Sequence, residues 1–153
     1  MPMIWSTLDQ VRASGEHAFA WQINVGPIGS AAIELTTRGS GRVPTFLARW
    51  PDGTGLQGWV LSPDDAVVEM EKCRQCGEKS DQLVRVTTKG MNEAIWVVVA
   101  TFTGDKRPNA TVSGAGLGSV IDFGGARVRF DEKTQLPFKE HRAILGRRVG
   151  QGR

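Results

Sequence analysis

The chain lacks the features that mark most secreted and membrane proteins. Among its 153 residues there are only two cysteines, and the longest apolar run, residues 94–100, covers seven positions. A membrane-spanning helix needs about 20 apolar residues. The opening Met-Pro-Met-Ile-Trp has neither the charged start nor the apolar core of a secretory signal. We therefore expect an intracellular, soluble protein without a membrane partner, or one held inside a particle assembled in a cell.

Catalytic signatures are missing as well. The sequence contains no Gly-x-Ser-x-Gly nucleophile elbow, no His-Glu-x-x-His motif and no carboxylate pair flanked as a glycosidase requires. Histidine is the usual acid–base residue, but the two histidines, His17 and His141, belong to no motif. The sequence favours a binding protein, and an enzyme that uses His17 or His141 stays a weaker alternative.

Short apolar–polar alternations separated by turns fill most of the chain. The 19 glycines and seven prolines favour many turns between short strands. This pattern predicts a mainly β protein, an antiparallel β-sandwich or small barrel, with one domain over residues 1–145. Residues 146–153 are expected to form a flexible basic tail. The length is sufficient to bury one hydrophobic core.

Short helices are expected at both ends of this domain. Ile4, Leu8 and Val11 recur at helical spacing, which predicts an amphipathic helix over residues 3–13. After Pro137, a second short helix would place three residues on one side: Phe138, His141 and Leu145.

The strand predictions are sharpest in four places. Residues 19–25 and 31–37 alternate and predict a hairpin, and residues 45–50 and 56–61 predict two further strands. Residues 94–102 are apolar on both faces, which is typical of a central strand. Residues 120–130 predict a hairpin around a two-glycine turn. In that register Asp122 lies opposite Arg127 as a favourable cross-strand charge pair.

The stretch around the two cysteines permits two folds. Ser62 and Pro63 suit the start of a helix that ends at Gly77, but the same residues also suit a turn before a β-hairpin. We favour the hairpin, because strands are predicted on both sides. Cys73 and Cys76 have the spacing of half a zinc site. A plain turn with two reduced thiols and a zinc knuckle completed by other ligands both stay open, so zinc is the one cofactor that the sequence allows.

Basic residues are concentrated at the C-terminal end. Residues 127–153 carry a net charge of +5, which leaves −2 for the rest of a chain of net charge +3. Clustered arginine and lysine are typical of surfaces that contact a phosphate backbone. The candidate nucleic-acid-binding residues are Arg127, Arg129, Lys133, Lys139, Arg142, Arg147 and Arg148.

Tryptophans are a second kind of candidate residue for nucleic-acid binding, since aromatic rings stack on unpaired bases. The candidates are Trp21, Trp50, Trp59 and Trp96, and burial in the core is the alternative explanation for them. The first function hypothesis is therefore non-enzymatic binding of nucleic acid, DNA or RNA, through a basic C-terminal face. The alternative is a self-assembling structural subunit, such as a virion component, that forms a homo-oligomer or larger assembly.

Overall fold

The computed structural model describes residues 3–37, 42–73 and 81–130. Within these ranges every strand pairing is antiparallel and no α-helix occurs, so the prediction of a mainly β protein is confirmed. A single 3-10 turn covers Gly116–Gly118. The strands are β1 (Ile4–Pro27), β2 (Ala32–Thr36), β3 (Thr45–Arg49), β4 (Thr54–Ser62), β5 (Val67–Cys73), β6 (Asp81–Thr103), β7 (Thr111–Ser113), β8 (Val120–Asp122) and β9 (Arg127–Arg129).

Strand β6 is the centre of the main sheet. Its first edge pairs with β1 along almost its whole length, from Ile4 opposite Ala100 to Pro27 opposite Asp81. Its second edge is shared, because β5 pairs with residues 81–87 and β4 with residues 96–103. Strands β3 and β2 then continue the sheet beyond β4. The second half of β6 is buried on both faces, as predicted from its continuous apolar sequence.

Two hydrophobic clusters lie on opposite faces of the main sheet. The inner cluster combines residues from both halves of β6 with side chains of β1, β3, β4 and β5. The outer cluster is built on Trp59, Trp96 and Val98, and it is closed by a small three-stranded sheet in the order β7-β8-β9. Ile121 of β8 is fully buried there. The small sheet is therefore held to the main sheet by apolar contact.

Two glycines of β4 allow aromatic rings to lie flat against the main sheet. Phe46 is the cross-strand partner of Gly58, and Phe102 is the partner of Gly55. A Cβ atom at either glycine would collide with the facing phenyl ring. Because glycine has no side chain, each ring can cover the strand at these positions.

The helix predicted over residues 3–13 is wrong, because residues 4–13 belong to the first half of β1. Ile4 and Leu8 are four positions apart, a spacing that places them on one face of a strand as well as of a helix. They contact the outer cluster, whereas Trp5 contacts the inner one. Because this strand has apolar residues on both faces, their spacing along the sequence resembled the spacing of apolar residues in an amphipathic helix. The second predicted helix, after Pro137, and the tail at 146–153 lie outside the described residues.

The hairpin predicted from residues 19–25 and 31–37 is also wrong, although both segments are strands. The end of β1 pairs with β6, and β2 pairs with β3. Alternation identifies a strand but not its neighbour, and here the pairing partners come from other parts of the chain. At the cysteine stretch the hairpin is the observed form, with Val68 opposite Val86 and Met70 opposite Val84.

Candidate nucleic-acid interface

The small sheet has one apolar face and one polar face. Val112, Ile121 and Val128 point into the outer cluster. Side chains alternate along a strand, so their neighbours point to the opposite side. We call this opposite side the outer face; it carries Thr111, Ser113, Val120, Asp122, Arg127 and Arg129.

An open depression of about 440 Å³ lies on the outer face. Its lining combines two hydroxyl groups with one acidic and one basic side chain around a single valine, and the residues are Thr111, Ser113, Val120, Asp122 and Arg127. Hydroxyl and guanidinium groups are the side chains that most often donate hydrogen bonds to phosphate oxygens. Thr111 and Ser113 were not among the candidate residues predicted from the sequence. Because they flank the apolar Val112, the alternation could have identified them as the polar face of a short strand.

Arg127 and Asp122 form the ion pair predicted from the sequence. Arg127 donates from Nε at 3.0 Å and from Nη2 at 2.7 Å, both to Oδ2 of Asp122. The backbone N–H of Gly124 donates to the other carboxylate oxygen at 2.8 Å. The hydrogen bond from Arg127, followed by the one from Gly124, lowers the pKa of Asp122 below its ordinary value of 3.8. The charge of Arg127 is therefore largely compensated inside the protein.

Arg129 is the uncompensated cation of the outer face. It is exposed and lies opposite Val120 in the β8–β9 ladder. It has no ion pair or hydrogen bond with any residue of the described ranges. Its guanidinium group is consequently available to an anion from solution. The other predicted basic contacts lie outside the described residues; they are Lys133, Lys139, Arg142, Arg147 and Arg148.

The glycine-rich loop between β7 and β8 supports the small sheet. Two of its N–H groups are used inside the turn, from Gly118 to the carbonyl of Ala115 and from Ser119 to the carbonyl of Gly116. Gly114 and Gly116 have φ values of 80° and 55°, which favour glycine. Leu117 packs against the outer cluster. The loop therefore fixes the distance between β7 and β8.

Three of the four candidate tryptophans belong to the core. Trp21, Trp59 and Trp96 are buried, with exposures of 9%, 4% and 2%. Trp50 is half-buried and packs against the inner cluster. Trp59 makes an edge-on contact with Phe123 of the small sheet, at 5.3 Å between ring centroids. The buried rings stabilise the fold and are not open to a nucleic-acid base.

The cysteine and histidine candidates do not form a site in the described part of the chain. Cys73 is disulfide-bonded, and Cys76 lies outside the described residues. A disulfide offers no thiolate to a metal, so the zinc prediction applies to the reduced chain. No group of three metal-binding side chains occurs among residues 3–37, 42–73 and 81–130. His17 is exposed beside Phe19, without an acidic partner in those ranges, and His141 lies outside them.

The comparisons with known proteins identify no relative. No family model, no curated protein and no solved structure matches this chain. Across the described strands and turns, no helix has the length and apolar content to cross a bilayer. The outer face and the edges of the main sheet are therefore the surfaces that suggest a function.

Proposed function

We propose that the protein is a non-enzymatic binding protein that contacts nucleic acid through the outer face. The observation that carries the proposal is Arg129, an exposed cation without an ion pair among the described residues, which lies on the same face of the small sheet as the depression. Arginine and hydroxyl side chains are common partners of phosphate oxygens. The strand that holds Arg129 leads directly into residues 131–153, which carry a net charge of +3.

The mode of binding follows from the kind of groups present. Guanidinium and ammonium groups attract the phosphate backbone of any sequence, and each neutralised phosphate releases counterions. The buried tryptophans remove the stacking surface that would favour unpaired bases. We therefore expect binding that depends strongly on salt and weakly on base sequence.

The test is a titration of labelled single- and double-stranded DNA and RNA with the full chain at two salt concentrations. Binding should weaken on the order of tenfold or more when salt rises from about 50 mM to about 200 mM, because several contacts are lost together. A chain that ends at residue 145 should bind more weakly at low salt, since three arginines are removed. Affinity that is equal at both salt concentrations, or equal in the two chains, would contradict the proposal.

Self-assembly is the second candidate function. The observation that favours it is the length of β1, whose 24 residues form one edge of the main sheet. A long unpaired edge is a template for pairing with another chain. A structural subunit of a homo-oligomer or larger particle would use such an edge.

The prediction of a β-sandwich or small barrel remains an inference, and it concerns which edges of the main sheet are open to a partner. Strands β2 and β5 are separate edges of the main sheet, yet some of their Cα atoms lie within 8 Å of each other. The inner cluster also joins residues of both halves of the sheet. We infer that the sheet curves until these two edges approach, which leaves β1 as the long edge without a second strand neighbour among the described residues.

A further inference from the structure

The first half of β1 is a regular strand with an unused edge. Ile4–Arg12 pairs with residues 92–100 of β6 without any register shift, and the irregularity of the ladder begins only after Arg12. Within the described part of the chain, β1 has no other strand as a neighbour. We call Ile4–Arg12 the free arm. At about 3.4 Å per residue it offers an edge on the order of 30 Å long.

The backbone direction of the free arm follows from one hydrogen bond. The N–H of Thr101 in β6 donates to the carbonyl of Met3 at 2.9 Å, so the backbone groups of Met3 point at β6. In an antiparallel ladder the direction alternates from residue to residue. The residues whose N–H and C=O groups point away from β6 are therefore Ile4, Ser6, Leu8, Gln10 and Arg12.

The free arm carries few of the devices that block edge pairing. Soluble proteins commonly protect an exposed edge with proline, lysine or a β-bulge. The free arm contains none of these, and its only formal charges are Asp9 and Arg12. Neither charge has an ion pair among the described residues.

We propose that the free arm pairs antiparallel with the free arm of a second copy of the chain, so that one sheet continues through a two-fold dimer. This inference rests on self-assembly, the second candidate function, and it is independent of nucleic-acid binding. Full overlap of the two arms places the two-fold axis at Leu8. All outward-pointing residues then face one another, which permits about ten interstrand hydrogen bonds, two for each of five facing pairs.

The side chains of the free arm suit a second copy in this register. Leu8 faces Leu8 of the second copy, and Ser6 faces Gln10, so apolar meets apolar and polar meets polar. Asp9 faces Thr7, and Arg12 faces Ile4, so no like charges are opposed. A two-fold arrangement also uses both free arms and closes the assembly at two chains.

The first experiment measures the mass of the full chain by light scattering over a concentration series. A dimer of about twice the 16.6 kDa chain mass is expected. Gln10→Pro removes an N–H that points away from β6, so the intramolecular ladder is retained and only the outer edge is blocked. It should weaken dimerisation about tenfold or more, because two intermolecular hydrogen bonds and the close strand approach are lost. Gln10→Ala keeps the N–H and loses only the side-chain contact with Ser6, so it should weaken the dimer far less than Gln10→Pro.

A cross-linking experiment checks the register without a proline. Leu8→Cys places two cysteines opposite each other, with Cα atoms about 5.5 Å apart, which a disulfide can span. Mild oxidation should convert most of this variant to a covalent dimer. Arg12→Cys is the matched control, because the two copies of residue 12 would be about 27 Å apart and should not cross-link. The unmodified chain is oxidised in parallel as a blank.

The outcomes separate the inference from the function on which it rests. A monomer at every concentration would overturn both self-assembly and the arm pairing. A dimer that Gln10→Pro leaves intact, and that Leu8→Cys does not cross-link, would overturn the arm pairing alone. A dimer lost in Gln10→Pro, kept in Gln10→Ala and trapped by Leu8→Cys supports the free arm as the interface.

Discussion

Asp122 and Arg129 decide how strongly the outer face attracts an anion. Arg127 is held by Asp122 through two hydrogen bonds, and the carboxylate cancels most of its charge. Arg129 lies two positions along the same strand face and has no such partner among the described residues. The number of basic residues on a face therefore overestimates its attraction for phosphate. Each cation has to be counted together with its acidic neighbours.

The ion pair at Asp122 makes a prediction about acid stability. The pKa of Asp122 is lowered in the folded chain, so the stabilisation is present above about pH 3.8 and is lost as the pH falls through the lower folded pKa. Asp122→Asn should melt below the wild type at about pH 7, and the two melting temperatures should approach each other as the pH falls below the folded pKa of Asp122. Thermal unfolding followed by circular dichroism at several pH values measures this.

The control is Glu69→Gln, because Glu69 is exposed, lies outside the free arm and has no ion pair in the described ranges. This variant should melt close to the wild type at each pH. A constant gap between Asp122→Asn and the wild type over the whole pH range would show that the ion pair is not the cause.

The small sheet is an element attached by a few apolar side chains. Ile121 is fully buried between β7 and β9, and Phe123 and Phe130 contact Trp59 and Trp96. The outer face is presented to solvent only because the other face is fixed in this way. Loss of that attachment would remove the depression together with the position of Arg129.

Ile121→Ala should therefore destabilise the protein by about 2–4 kcal/mol, because a buried side chain is replaced by a cavity. The control is the neighbouring residue, Val120→Ala, which removes a side chain from the outer face. It should cost well under half as much, since Val120 is only partly buried. Urea unfolding of both variants measures the difference, and equal costs would mean that the small sheet is not held through Ile121.

An element was easier to predict from the sequence when the residues that define it are close together in the chain. The β8–β9 hairpin was predicted with its Asp122–Arg127 register, because a two-residue turn fixes which residues face each other. The first half of β1 was predicted as a helix, because it has apolar residues on both faces and so lacks the apolar–polar alternation of a half-buried strand. The phenyl ring over Gly55 was not predicted, since Phe102 belongs to a strand distant in sequence. Thr111 and Ser113 joined the site through the pairing of β7 with β8, which was not predicted either.

At the scale of the whole molecule, the two candidate surfaces belong to different elements. The outer face lies on the small sheet, and the free arm lies at the edge of the main sheet. Nucleic-acid binding and pairing through the free arm can therefore be altered separately by substitution. A structural subunit that packs against nucleic acid inside a particle would use both surfaces, which is the arrangement that unites the two candidate functions.

The central claim is that Arg129 contacts a phosphate group of nucleic acid, and the salt dependence of binding tests it most directly. The logarithm of the affinity of the full chain for a labelled duplex is measured against the logarithm of salt concentration. Arg129→Ala should reduce the slope by about one, because one phosphate contact is lost. Lys72→Ala removes an exposed cation from β5 and should leave the slope unchanged. A slope that is the same for the wild type and Arg129→Ala would contradict the claim.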